Sequence, residues 1–228
     1  CNMTVQKQLI KTVLQLLPSV QASALVPEIQ LSILTSNHPL WHVPYEKAIE
    51  TLGTVDPWWS FFWPGGQGLA RYILDNRYLV RNKRLLDIGC GCGGCSIAAK
   101  LCCAKHVTAN DIDEEALTAV CHNAILNAVQ IHVDKRNFLL ENKLISNYDV
   151  LTIGDMFYDE ELAQQTWNLI DNALDQRKIV LLADPGRYYF TKHLDDIKRR
   201  LKQVAEYPVD QDYIEVGFNT IKIFSNKI

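Results

Sequence analysis

At 228 residues, 48% of them hydrophobic and 21% charged, the chain holds enough apolar material for a sizeable core, which excludes wholesale disorder. A net charge of −3 supplies no basic field that could hold a nucleic acid by charge alone. No apolar run approaches the roughly 18 residues of a membrane span, and the length fits one α/β domain with a terminal extension.

Seven cysteines are an odd number, and several crowd together (Cys90, Cys92, Cys95; Cys102, Cys103). A complete intramolecular disulfide framework is excluded, and reduced thiols in an intracellular compartment are the better reading. The chain starts at Cys1 rather than Met, so the lack of a targeting peptide carries no message about destination.

In chain order, Val5, Leu9, Val13, Leu16 and Leu17 form one helical stripe over residues 2–17, ended by Pro18. A second short helix is expected after Pro27, through Ile29, Leu31, Ile33 and Leu34. Between His38 and Pro64 stand four of the five tryptophans (Trp41, Trp58, Trp59 and Trp63), punctuated by prolines. That segment reads as an aromatic lid or brace. Residues 1–63 are therefore read as a helical and aromatic extension, and residues 64–228 as the main domain. A helix should begin near Gly66 and carry Leu69, Tyr72, Ile73 and Leu74. From Arg84 onward, RLLDIG, HVTAND, IHVD, DVLTIGD and KIVLLADP read as strands. GCSIAAKLC, EEALTAVCHNAILNA and the stretches near 160–174 and 191–201 read as helices between and after them. VAEYPV and NTIKIFS add a terminal strand pair, expected to run antiparallel to the rest. Alternating strands and helices mean an open, mostly parallel sheet covered on both faces.

Such sheets bind ligands at the carboxyl ends of their strands, near the topological switch point. The first of these strands runs into Gly89-Cys90-Gly91-Cys92-Gly93-Gly94. Glycines there allow a tight turn and close backbone approach, and the spacing also satisfies G-x-G-x-x-G. Asp87 just before the turn would repel a pyrophosphate but suits an ammonium group. Asp111 closes the next strand (111 − 87 = 24 residues on) and can accept both hydroxyls of a ribose. An adenosyl ligand carrying an amino acid, S-adenosylmethionine, satisfies both positions. A nicotinamide or flavin site, or an incidental glycine turn, is the alternative. Cys92 and Cys95 form C-x-x-C, but structural zinc wants a second pair and none follows, so no metal is expected. Cys102 and Cys103 can pack as small apolar residues.

The fourth strand ends in Gly154-Asp155-Met156-Phe157-Tyr158-Asp159. Asp155 and Tyr158 are candidates to hold and orient an incoming nucleophile; a helix-capping Asp beside a half-buried Tyr is the plainer alternative. An apolar rim of Phe157, Tyr158 and the tryptophan segment would favour a neutral amine by desolvation. In Asp184-Pro185-Gly186-Arg187, Arg187 reads equally as a substrate contact or as half of a surface ion pair.

Trp63-Pro64-Gly65-Gly66-Gln67, the glycine turn, Asn110-Asp111-Ile112-Asp113, the Gly154–Glu160 segment and Asp184-Pro185-Gly186-Arg187 occur in an order that resembles the seven-β-strand protein methyltransferases. Within them the chain is most similar to the electron transfer flavoprotein β-subunit lysine methyltransferases, over about residues 24–190. WPGGQ and GDMFYDE are the specific segments; D-x-x-Y after the fourth strand is typical of the larger family. The resemblance implies a Rossmann-like, seven-stranded class I methyltransferase fold with an antiparallel terminal strand. It implies an enzyme that moves methyl groups from S-adenosylmethionine to lysines of the flavoprotein β subunit in the mitochondrial matrix. A protein substrate, no nucleic acid, no membrane and a monomer go with it. Carried over by position, Gly89, Gly91 and Gly93 meet the methionine moiety, with Asp87 and Cys90 in the same cofactor set. Asp111 holds the ribose, Asn137 lies by the adenine, Trp63 packs at the cofactor, and Gly154 lines the wall. Asp155 and Tyr158 face the target amine. A methyltransferase for another protein, such as a ribosomal protein, and a non-catalytic S-adenosylmethionine-binding scaffold are the competing readings.

Overall fold

The structure, a computed structural model, describes residues 20–22, 24–44, 47, 58–209 and 217–227. The helix expected over residues 2–17 lies outside the described residues.

After Pro27 there is a strand where a helix was expected. β1 (Val20–Ala22) pairs antiparallel with β2 (Gln30–Ser32). Ile29, Leu31 and Ile33 are all buried. Their spacing of two is the strand period, and it decides the local structure over the helical stripe. The side-chain amides of Asn123 and Asn127 pair with the main chain of β2 much as an added strand would. Ser32 N–H donates to Asn123 Oδ1 at 2.8 Å, and Gln30 N–H to Asn127 Oδ1 at 3.0 Å. Asn127 Nδ2 donates back to the Gln30 carbonyl.

The main sheet has seven strands in the order β5-β4-β3-β6-β7-β9-β8. They are β3 (Arg84–Ile88), β4 (His106–Asn110), β5 (His132–Asp134), β6 (Val150–Gly154), β7 (Ile179–Asp184), β8 (Lys202–Pro208) and β9 (Thr220–Ser225). β3 to β7 are parallel, β9 runs antiparallel to β7, and β8 runs antiparallel to β9. Of the terminal pair, then, only β9 is reversed; β8 points the same way as the parallel strands. β3, β6 and β7 are near-continuous apolar runs, as strands covered on both faces must be.

The helices are α1 (Pro64–Asp75), α2 (Gly94–Leu101), α3 (Glu114–Leu126), α4 (Glu160–Asp175), α5 (Tyr188–Lys192) and α6 (Leu194–Arg200). The single helix expected near 191–201 is two, divided at His193, and the first starts earlier, just after Arg187. Side chains alternate between two cores. Leu85 lies with α1 and α2, together with Val26, Ile29, Leu31, Ile33 and Phe62 of the extension. Leu86 lies on the other face with Leu169 and Ile170 of α4. The described part of the extension thus shares the domain's own core. β3 crosses over to β4 on one side and lies beside β6 on the other. Their carboxyl ends therefore diverge and open a crevice there.

Candidate active site

That crevice is a cavity of about 700 Å³, the size of a small-molecule site, and it is lined mostly by apolar and aromatic groups. Its floor is the turn after β3, where Gly89 and Gly91 both take positive φ, +61° and +48°. The left-handed backbone favours glycine at Gly89, and a Cβ there would lie 2.3 Å from the Met156 sulfur, so that side chain would have to move aside. Cys90 N–H donates to the Asn110 carbonyl, and Gly91 N–H to Asp111 Oδ2 at 3.1 Å. Asp111 Oδ1 accepts Asp113 N–H at 3.1 Å. Burial pushes the Asp111 carboxyl up to about 6, against the opposing pull of those backbone N–H bonds. Asn137 borders the cavity while its Oδ1 caps the Leu139 N–H at 3.0 Å. The Asn110 amide braces that loop by donating to the Asp134 and Arg136 carbonyls.

The extension forms the facing wall. Trp58, Phe61 and Trp63 cluster with ring centroids 5.4–6.0 Å apart, and Trp63 Nε1 donates to the Trp58 carbonyl at 2.7 Å. At the mouth, Tyr158 is 63% exposed rather than half-buried. Phe157 is not at the mouth. It is fully buried edge-on to Phe190, and Met156, Trp58 and Trp63 supply the apolar surface instead.

Of the eleven residues picked from the sequence, ten border this one cavity: Trp63, Asp87, Gly89, Cys90, Gly91, Asp111, Asn137, Gly154, Asp155 and Tyr158. Gly93 does not. It is the left-handed residue before α2, and a Cβ there would lie 3.0 Å from Val120. Gly93 is needed for the turn and for helix packing. Asp87 is held by hydroxyls: Ser96 Oγ donates to Oδ2 at 2.7 Å and Thr152 Oγ1 to Oδ1 at 2.8 Å. Burial raises its carboxyl above the usual range.

Two further residues border the cavity, Met156 and Arg187. Arg187 is no surface ion pair: it is 6% exposed, borders the cavity, and bonds both Asp155 and Asp184. Burial also pushes Asp184 up to about 6, although Arg187 pulls the other way. Nothing in a D-P-G-R string says on which side of the turn its Arg lies.

The described cysteines carry no mark of reactive thiols. Burial pushes the Cys92 thiol up to about 12 and those of Cys90 and Cys95 well above the ordinary range. These are not the depressed values of reactive thiols. Cys102 packs in the core, whereas Cys103 is exposed at a positive-φ turn. Among the described residues no group of three or more His, Cys, Asp or Glu could hold a metal ion.

Among the described residues, the cavity wall carries four carboxylates (Asp87, Asp111, Asp113 and Asp155) and one guanidinium (Arg187). A pyrophosphate would enter against that charge, so a dinucleotide fits poorly. A ligand with a sulfonium and an ammonium is attracted by it. The glycine floor, the acceptor at Asp111 and the aromatic wall fit S-adenosylmethionine.

Comparison with known proteins agrees. Residues 70–154 match the family described as ribosomal protein L11 methyltransferase. The electron transfer flavoprotein β-subunit lysine methyltransferase of Rattus norvegicus is 41% identical over 199 residues, covering 84% of this chain and 74% of that protein. Its Caenorhabditis elegans homologue is 35% identical, covering 91% of this chain and 92% of that protein. The chain belongs to the electron transfer flavoprotein β-subunit lysine methyltransferase family. Its fold is shared with the Synechocystis magnesium protoporphyrin IX methyltransferase solved with bound S-adenosylmethionine. That structure has a TM-score of 0.52 at 16% identity and covers 71% of this chain and 79% of the other. As a member of this family the chain is a methyltransferase, and its cofactor is S-adenosylmethionine.

Proposed function

We propose that the chain methylates lysine side chains of the electron transfer flavoprotein β subunit, in the mitochondrial matrix. The observation that carries this reading is the 41% identity to a relative named for that substrate, over a stretch that takes in most of the chain. The match to ribosomal protein L11 methyltransferases speaks less to substrate. The family model covers residues 70–154, and a ribosomal protein L11 methyltransferase of Listeria welshimeri is 35% identical over half of this chain and 37% of its own length, far less than the flavoprotein relatives cover. The matrix assignment rests on the resemblance alone. Action as a monomer rests on the resemblance as well.

Bound S-adenosylmethionine supplies an activated methyl group on a good leaving group. The residues of this chain then have two tasks, to position the reactants and to control the charge of the amine. A free lysine has a pKa of about 10.4 and is only on the order of 0.1% neutral near pH 7.5. The aromatic mouth disfavours the ammonium form by desolvation, while Asp155 accepts a hydrogen bond from the amine and aims its lone pair. Tyr158 packs along the lysine stem. Asp111 receives the ribose hydroxyls. Asp87, already holding two hydroxyls, adds negative potential near the amino-acid end.

The test is incubation of the purified enzyme with isotope-labelled S-adenosylmethionine and, separately, the flavoprotein β subunit and ribosomal protein L11, read by mass spectrometry. Label on lysines of the β subunit is the expected result. Label on L11 alone would replace this reading with the ribosomal one. Cell fractionation of the full natural protein checks the compartment.

A further inference from the structure

Asp155 is held by much more than its strand. Its backbone sits at φ +61°, a left-handed conformation that non-glycine residues adopt only where their surroundings impose it. Its Oδ2 accepts the Gly66 N–H at 2.9 Å, in the first turn of α1. That turn is pressed so close that a Cβ on Gly65 would lie 2.6 Å from the same oxygen. Its Oδ1 accepts Arg187 Nη1 at 2.5 Å. The same nitrogen reaches Asp184 Oδ2 at 3.3 Å, while Asp184 Oδ1 accepts the backbone N–H groups of Gly186 and Arg187, each at 2.7 Å. The guanidinium carbon lies 6.0 Å from the Trp63 ring centroid and 5.9 Å from that of Phe218.

We infer that Arg187 is a positioning residue for methyl transfer: it clamps the Asp155 carboxylate at the mouth of the cleft and does not itself bind substrate. The inference rests on the role given to Asp155 above. The Arg187 Nη1 is committed to two carboxylates, and the guanidinium carbon lies within about 6 Å of two aromatic ring centroids. Left where it is, it fixes one oxygen of Asp155 while α1 fixes the other, so the carboxylate presents a single orientation to the cavity. Asp184 shares the guanidinium, so Arg187 is not committed to Asp155 alone. A buried ion pair is weak evidence for stability alone, and a clamp beside a strained catalytic carboxylate gives this one a purpose.

The test is a double-mutant cycle of Arg187→Met and Asp155→Asn, with Arg187→Lys beside it, measured on a lysine protein that the parent methylates. For Arg187→Met we expect kcat to fall on the order of 100-fold, the size of effect a small misplacement produces. The KM for protein substrate and the Kd for S-adenosylmethionine should stay within about threefold. Arg187→Lys should recover much of the rate, because one nitrogen makes both carboxylate contacts. In the Asp155→Asn background, Arg187→Met should cost nothing further. A raised KM with kcat kept would make Arg187 a substrate contact and overturn the inference. So would a full further loss of rate in the Asp155→Asn background. If the Met variant does not fold, the Lys variant carries the same cycle: a lower kcat at unchanged KM that vanishes beside Asp155→Asn supports the clamp, and one that persists overturns it. Whether the β subunit is the substrate is read separately from the parent's own labelling pattern.

Discussion

Asp87 on β3 and Asp155 at the end of β6 stand on neighbouring strands and border the same cleft, yet they have opposite kinds of partner. Asp87 is nearly sealed and held by the hydroxyls of Ser96 and Thr152. Asp155 is held by a guanidinium and a backbone N–H, on a left-handed backbone. Neutral donors keep a carboxylate in place as part of a wall, and burial then raises its proton affinity. A cation and a strained backbone fix direction, which matters when the carboxylate must aim at something that comes and goes. Under the proposed function, the difference sets the cofactor side of the cleft apart from the side that meets the lysine.

The sharpest way to break this contrast is Asp155→Ala. Methyl transfer should fall on the order of 100-fold or more while S-adenosylmethionine affinity holds, because the loss falls on transition-state geometry. Tyr158→Phe should lose less, since the ring still packs and only the hydroxyl goes. A transfer assay beside a calorimetric titration checks both. If Asp155→Ala loses affinity in step with rate, Asp155 belongs with Asp87 and the contrast collapses.

Asp111 should give the next largest effect, on binding. Asp111→Ala should weaken S-adenosylmethionine by about 1–3 kcal/mol, since ribose hydroxyls lose their acceptor. The pH dependence has a definite sign. The Asp111 carboxyl is raised to about 6, so it takes up a proton as the pH falls through that value. Only the ionised form accepts from both hydroxyls. Affinity of the parent should be flat above that pH and decline below it, and Asp111→Ala should not show that decline. Calorimetry between pH 5 and 8 on both proteins decides it.

Asp87→Ala sharpens the contrast from the other side. It leaves the Ser96 and Thr152 hydroxyls buried without their acceptor, which should cost about 1–3 kcal/mol of stability in denaturant titration. The chemical step itself should change far less than with Asp155→Ala. A loss of kcat equal to that of Asp155→Ala in the folded variant would erase the distinction. The smallest effect is expected from changing Cys92 and Cys95 together to Ala. Most activity should survive, and elemental analysis of the parent should find no stoichiometric zinc; one tightly held zinc per chain would contradict this.

The sheet was legible because each buried strand is a short apolar run bounded by Gly, Asp or Pro, and each helix between them carries a 3.6-residue stripe. The cofactor floor was legible because a glycine turn after a strand admits few uses. The segment from Pro27 to Leu34 misled because a short apolar run satisfies helix and strand alike; the spacing of Ile29, Leu31 and Ile33 was the better guide. Burial direction was the harder quantity. Phe157 and Tyr158 are adjacent, and the turn sends one into the core and the other to solvent. Arg187 stayed open between a substrate contact and a surface ion pair because arginine is rarely buried unless paired, and its partner Asp155 lies 32 residues away in sequence.

Asn123, fully buried on α3, joins two parts of the chain far apart in sequence. Its oxygen takes the Ser32 N–H of β2 and its Nδ2 gives to the Cys92 carbonyl of the glycine turn, each at 2.8 Å. Opening either side leaves one end of this buried amide without its partner, at a cost of about 1–3 kcal/mol. The strand pair at the start of the described chain and the glycine turn are therefore coupled through a single side chain.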